Sequence, residues 1–355
     1  MRLLQVTKIF LMKKKGKIIL LTVLLVILLL IVSFLAFIKM TFGDELKAIS
    51  TIKKLDDGPY YMEWKGEYGF DEFLAHGGAE TDSNMAEYIV SFLTKGFYKP
   101  SIEEKDNAYG CSALTDGPIF GRNFDWVDSP VMIVKSEPKN GFASYSTVCL
   151  EFLGFDDNWT PDGSIMDKFM ALAAVYVPLD GMNEEGLCIA DLLVINTPET
   201  HQKTDKPDLT TVGALRMILD HASTVDEAVA LLEKIDMNSS IGSNHHYAIS
   251  DRSGKSVAVE WIGNKMYVTE TKAVTNNIVK EELSLGTGNE ESWKRYYMLL
   301  DLAPMINRDY ENMKDAMERA SYENETLWSV VYDKEKLNLS FYLKRNFDAP
   351  LSFSL

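Results

Sequence analysis

Three patterns predict an α+β fold for this chain of 355 residues. Short alternating segments begin at Cys111, two pairs of stretches with helical spacing interrupt them, and a strand pair closes the chain. Strand runs, then helices, then strands give segregated layers rather than alternating α/β units. Ahead of this body lie one membrane-length apolar run and a mainly helical segment.

Residues 1–17 are basic, with Arg2, Lys8, Lys13, Lys14, Lys15 and Lys17 and no acid. Residues 18–38 (38 − 18 + 1 = 21) are almost unbroken Leu, Ile, Val and Phe, matching the roughly 20 needed to span a bilayer. The preceding lysines place the N-terminus on the cytoplasmic side. A cleaved signal peptide usually has an apolar region of about 7–15 residues and a small-residue exit. This run is longer, and Ser33-Phe34-Leu35-Ala36 is a poor exit. A retained anchor with the body outside the cell is therefore expected. Met12 is a second candidate start, since residues 1–11 add nothing recognisable.

The chain has 36 Lys+Arg against 52 Asp+Glu. With Lys39, residues 1–43 hold seven of the bases, which leaves 29 − 52 = −23 for the remainder. A body so acidic repels nucleic acid and anionic lipid surfaces, so neither is an expected partner.

Residues 44–110 read as folded material rather than a flexible linker. Met85, Tyr88, Ile89, Phe92 and Leu93 recur at helical spacing after a Ser83 cap, and Gly96 ends the run. Residues 59–73 are aromatic-rich and punctuated by Gly66 and Gly69.

From Cys111 on, 118–126, Val131–Glu137 and 143–152 read as strands. Lys139-Asn140-Gly141 is the clearest hairpin signal. Further strands are expected at 171–179 and 187–193, and helices at 209–222 and 225–235, the second entered through Ser223 and Thr224. His245–Ser250 and Ser256–Ile262 read as a hairpin around Asp251-Arg252-Ser253-Gly254. Residues 291–302 and 312–320 read as helices, and 327–332 with 337–343 as a closing hairpin. No internal repeat is evident.

The chemistry centres on Gly110-Cys111 and on Gly121-Arg122-Asn123-Phe124-Asp125-Trp126. A lone cysteine is most often a small buried hydrophobe. A different role opens if the Gly110–Cys111 bond is cut. A thiol is mostly protonated at neutral pH, whereas a freed α-amino group titrates near 8 and can serve as the built-in base. Gly110 gives the scissile backbone freedom from a Cβ clash. Asp125 would orient the amine, and Arg122 would depress the thiol pKa. On a strand, Asn123 and Phe124 would point away from them.

These segments resemble the choloylglycine hydrolase group of N-terminal-nucleophile amidases: bile salt hydrolases, penicillin V acylases and the more distant acid ceramidase relatives. The likeness rests on four elements in order after Cys111. They are the G-R-N-x-D-W run, Asp180-Gly181-Met182-Asn183-Glu184-Glu185-Gly186-Leu187, Thr275-Asn276, and Ser292-Trp293-Lys294-Arg295-Tyr296. It implies a four-layer αββα sandwich over 111–355 and hydrolysis of a linear, non-peptide C–N amide bond, without a cofactor. It implies that Cys111 is the nucleophile and that the Asn276 side chain is an oxyanion donor. The backbone N–H of Leu193 would be the second donor, at a position where many bile salt hydrolases carry Asn. Arg295 would place a charge near the nucleophile, and Asn183 would shape a turn. Self-cleavage would leave 44–110 as an associated small subunit, as in acid-ceramidase-like relatives.

Trp126, Phe152, Phe155, Trp159, Phe169 and Tyr176 are candidates for an apolar pocket wall. Cys149 and Cys188 lie among apolar neighbours and are expected as buried thiols, although an oxidising exterior permits a disulfide. His245 and His246 would face opposite ways on a strand and lack a ligand cluster, so zinc is not expected. The same site used for acyl transfer and an inactive cell-surface binding module remain as alternative readings.

Overall fold

The structure is a computed structural model that describes residues 2–56, 58–96, 110–156 and 158–355. The 97–109 part of the expected 44–110 segment lies outside them. Two compact units are distinguished, residues 1–47 and 48–355.

The first unit is built on helix α1 (Arg2–Thr41). Its Lys17–Thr41 stretch of 25 residues is long and apolar enough to cross a membrane and is not buried. A signal sequence near an N-terminus meets the same criterion. Helix α2 follows (Gly43–Thr51).

The second unit begins with β1 (Lys53–Lys54), β2 (Tyr60–Lys65), α3 (Phe70–Ala75) and α4 (Asp82–Leu93). Helix α4 is capped by Thr81, whose side chain accepts from the Asn84 N–H, and not by Ser83. Thr81 has the extended backbone a cap requires, while Ser83 already lies inside the helix. The segment is not purely helical, because β2 runs parallel to the strand Val131–Glu137, with Tyr60 opposite Met132.

Next come β3 (Cys111–Asp116), β4 (Ile119–Asp125), β5 (Val131–Glu137), β6 (Ser144–Cys149), α5 (Ile165–Ala171), β7 (Asp180–Asn183), β8 (Cys188–Leu193) and β9 (Asp208–Thr210). They are followed by α6 (Thr211–His221), α7 (Val225–Leu232), β10 (Asp236–Asn238), β11 (His245–Ser250), β12 (Ser256–Ile262), β13 (Lys265–Glu270) and β14 (Ala273–Val274). The chain ends with α8 (Glu290–Ile306), α9 (Tyr310–Ala320), β15 (Thr326–Asp333), β16 (Asn338–Leu343) and β17 (Leu351–Ser354). The strand expected at 171–179 is instead the end of α5 and a 3-10 turn, Leu172–Tyr176. Ser164 and Asp167 form a capping box that starts the helix. The turn is buried all round, so its apolar run has no periodicity to separate helix from strand.

Nine strands form one sheet in the order β1-β2-β5-β6-β7-β8-β11-β12-β13, and six form another, β14-β3-β4-β15-β16-β17. One apolar core joins them, with Ala113, Phe124, Trp328 and Val330 from the smaller sheet and Val148, Ile189 and Ala190 from the larger. A second cluster packs Leu114, Ile119 and Val331 of the smaller sheet against Leu299, Ile306, Met313 and Met317 of α8 and α9. On the larger sheet α6 presses so closely that a Cβ on Gly181 would lie 2.8 Å from a Leu219 methyl.

Candidate active site

Strands β3 and β4 pair antiparallel, with Cys111 opposite Phe124 and Ala113 opposite Arg122. Directly paired residues share a face. Cys111, Arg122 and Phe124 therefore look toward the nine-stranded sheet. Asn123 and Asp125 look toward α8 and α9, where Asn123 Nδ2 donates to Met317 O at 2.9 Å. Contrary to the sequence reading, Phe124 does not point away from Arg122. The guanidinium lies 4.9 Å from its ring centroid. Arg122 and Asp125, three apart on one strand, sit on opposite faces.

Cys111 begins β3 and is buried. Its backbone N–H donates to Asn276 Oδ1 at 2.7 Å, and its carbonyl accepts from Arg295 Nη2 at 3.1 Å. Arg295 Nη2 also donates to Asn276 Oδ1 at 3.0 Å, and Nη1 donates to Asp125 Oδ2 at 2.6 Å. The guanidinium stacks over Tyr322 at 4.2 Å. Asp125 Oδ1 accepts from Thr326 Oγ1 at 2.6 Å. Arg295 is thus a buried bridge between three site residues rather than a solvated surface charge.

Gly110 lies inside this ring. Its carbonyl accepts from the Asp125 N–H at 3.0 Å. A Cβ at Gly110 would fall 2.9 Å from Arg295 Nη2, 3.1 Å from Asp125 Oδ2 and 3.4 Å from Asn276 Oδ1. Close approach is what demands glycine here.

Burial pushes the Cys111 thiol above its ordinary value, and the Arg122 charge and hydrogen bond oppose this without prevailing. In the uncut chain Arg122 moderates a raised thiol rather than producing a depressed one. Arg122 is fully buried, with Nη2 donating to Asp191 O at 2.6 Å and Nη1 to Asn123 O at 2.5 Å. Its Nε lies 3.0 Å from Asp180 Oδ2 but outside hydrogen-bond alignment, so this contact is an ion pair only.

Asp180 was not singled out from the sequence, although it leads the Asp180-Gly181 motif. Its carboxylate accepts from Thr147 Oγ1 at 2.5 Å, Trp328 Nε1 at 3.0 Å and Tyr332 OH at 2.7 Å. A carboxylate placed directly after the apolar run 171–179 was the available signal. Thr326 was also missed, and nothing in its local sequence marks it.

Leu193 ends β8, and its carbonyl accepts from Asn276 Nδ2 at 2.9 Å. The two expected oxyanion residues are thus neighbours. In this uncut chain the Asn276 N–H is turned to Leu193 O, while its Oδ1 holds the Cys111 N–H. Asn183 makes a turn: Oδ1 accepts from the Glu185 and Leu187 N–H groups, and Nδ2 donates to Leu219 O and Ala222 O.

Of the aromatic wall candidates, Trp126 packs on Phe124 at 5.8 Å and on Phe152 at 5.0 Å, next to the strand that begins with Cys111. Phe155 stacks on Trp159 at 4.4 Å. Tyr176 is core, with its hydroxyl bonded to Tyr68 O. Cys149 and Cys188 are buried free thiols, both pushed up to about 12 by burial. His245 and His246 face opposite sides, each against a carboxylate, Asp191 at 2.9 Å and Glu260 at 3.2 Å.

Residues 115–279 match the model of linear amide C-N hydrolases, choloylglycine hydrolase family. The chain resembles the choloylglycine hydrolase family. The matched stretch contains Arg122, Asp125, Leu193 and Asn276, while Cys111 and Arg295 lie outside it. A penicillin V acylase of Pectobacterium atrosepticum is 29% identical over 174 residues, 44% of each chain, so this chain spans less than half the length of that relative. Among solved structures, penicillin V acylase from Agrobacterium tumefaciens is 18% identical, with a TM-score of 0.48 over 68% of this chain and 84% of that one. A mutant conjugated bile acid hydrolase from Clostridium perfringens is 15% identical, with a TM-score of 0.48 over 69% and 92%.

Proposed function

We propose that the protein is a self-processing cysteine amidase that hydrolyses a linear, non-peptide C–N amide of an N-acylated small molecule. The observation that carries this reading is the ring of Asn276, Arg295 and Asp125 closed around the Gly110–Cys111 bond. Such an arrangement has little purpose around an ordinary strand start.

In the first reaction Cys111 Sγ attacks the Gly110 carbonyl carbon, whose oxygen already accepts from the Asp125 N–H. The C–N bond breaks, and the nitrogen takes a proton and becomes the α-amine. Water then hydrolyses the thioester, leaving a Gly110 carboxylate and a free Cys111 thiol. The amine is born against Asn276 Oδ1 and beside Asp125, so a proton acceptor stands next to the thiol. Loss of the 1–110 connection vacates the space that Gly110 fills, and a substrate carbonyl enters there. Asn276 Nδ2 and the Leu193 N–H then stabilise the oxyanion. In the second reaction Cys111 forms the acyl thioester and releases the amine, and water completes hydrolysis.

The four-layer αββα reading of 111–355 is supported by α6 on the larger sheet, the shared core between sheets, and α8 with α9 on the smaller one. After cutting, the preceding segment stays bound as a small subunit, because β2 is hydrogen-bonded to β5. Helix α1 serves as a retained anchor, with the lysines before it inside and the catalytic unit outside.

The test is a hydrolysis screen of the processed protein against bile-acid conjugates, penicillin V, N-acyl amino acids and N-acyl ethanolamines, with Cys111→Ser as control. Release of free amine by the wild type alone is expected. Amine release that persists in Cys111→Ser contradicts the reading.

A further inference from the structure

Asn276 lies on a stretch of irregular backbone, 275–280, that follows the two-residue strand β14. Among the strongest constraints on this stretch is a fully buried pair, His246 on β11 and Glu260 on β12, directly opposite each other in the sheet. Glu260 Oε1 accepts from the Val279 N–H at 2.7 Å, and Oε2 accepts from the Lys280 N–H at 2.9 Å. Glu260 Oε1 also faces His246 Nδ1 at 3.2 Å. His246 Nε2 donates to the Thr275 carbonyl at 2.7 Å. The two side chains therefore grip the stretch on both sides of Asn276, one residue before it and three and four residues after it.

We propose that His246 and Glu260 are positioning residues that fix the Asn276 side chain between Cys111 and Leu193. This rests on the proposed amidase function of that site. A carboxylate without solvent access is strongly destabilising unless it is fully compensated, and a hydrophobic pair would fill the same volume without that penalty. Glu260 is compensated chiefly by backbone N–H groups of the Asn276 stretch. Those groups have no sheet neighbour of their own to satisfy them. The pair thus substitutes for a strand ladder where the chain must leave the sheet to present Asn276. Loosening it by an ångström would spoil an oxyanion donor that has to meet the reacting oxygen at about 2.7–3.1 Å.

The experiment compares wild type, His246→Leu, Glu260→Gln, Asn276→Ala and the His246→Leu/Asn276→Ala double variant, all as processed full chains. Four quantities are read: kcat and KM for an amide substrate, the rate of Cys111 alkylation by iodoacetamide, and amide hydrogen exchange across 275–280. His246→Leu and Glu260→Gln are expected to lower kcat by about tenfold or more, with KM and alkylation within about twofold of wild type. Added to Asn276→Ala, His246→Leu should cost less than about a further twofold, because residues acting through one group are not additive. Fully additive losses would overturn the proposal, as would alkylation falling in step with kcat. Glu260→Gln retains the shape and one acceptor oxygen while replacing the other by an NH2 donor, so it reports even if the leucine variant does not fold. If the wild type hydrolyses no amide, the functional proposal fails by itself. The inference then stands or falls on exchange: faster exchange confined to 275–280 supports it, and unchanged exchange overturns it.

Discussion

Replacing Gly110 by alanine adds one methyl group to the residue whose carbonyl the proposed self-cleavage attacks. The methyl would sit 2.9 Å from Arg295 Nη2, 3.1 Å from Asp125 Oδ2 and 3.4 Å from Asn276 Oδ1. An arginine tip could ordinarily swing aside, but this one is held by Asp125 at 2.6 Å, Asn276 at 3.0 Å and the Cys111 carbonyl at 3.1 Å. Relief therefore breaks at least one charge-assisted hydrogen bond, a cost of about 1.5–3 kcal/mol. If that bond is needed in the transition state, processing slows about 10- to 150-fold. The assay is a time course of the uncut chain on a denaturing gel, followed by amide hydrolysis per cut molecule. Once cut, the variant's large fragment is identical to wild type, so its turnover should be unchanged. Processing within about twofold of wild type would refute the geometric reasoning.

Three further outcomes are expected, two at the site and one at buried thiols outside it. Cys111→Ser should leave a chain that neither self-cleaves nor hydrolyses amides at a useful rate, because a hydroxyl is a much weaker nucleophile near neutral pH; gel and turnover assays read both. Asn276→Ala should lower turnover by about 10²–10³-fold while the melting temperature stays near wild type, the size expected for one oxyanion donor. Cys149 and Cys188 have folded pKa values raised from 9.0 to about 12, so their stabilising contribution is complete below about pH 9 and is lost as pH rises toward 12. Thermal melts at stepped alkaline pH should therefore decline from about pH 9 upward, and a melting temperature flat to pH 11 would contradict it.

The strands and amphipathic helices were legible because their periodicities are local: Val131–Glu137, His245–Ser250 and Ser256–Ile262 match the expected bounds. The 171–179 error arose where burial on all sides erases periodicity. Cys111, Arg122, Asp125, Asn276 and Arg295 could be picked out because motif order marked them, and the structure brings them together. Which face each occupies was not legible in the motif. Arg122 works toward the larger sheet and Asp125 toward α8, a consequence of the strand pleat. Asp180, Thr326, His246 and Glu260 meet their partners at the site across 19 to 201 residues of sequence, so only tertiary structure joins them to it.

The central claim is that Cys111 becomes a chain terminus and carries the acyl group. N-terminal sequencing and intact-mass measurement of the purified active protein test it directly. By length, one cut divides 40.1 kDa into pieces of about 12 kDa (110/355 × 40.1) and 28 kDa. The larger should begin Cys111-Ser112-Ala113 and, when quenched during turnover, gain the mass of one acyl group. An active enzyme that remains a single uncut chain would contradict the claim.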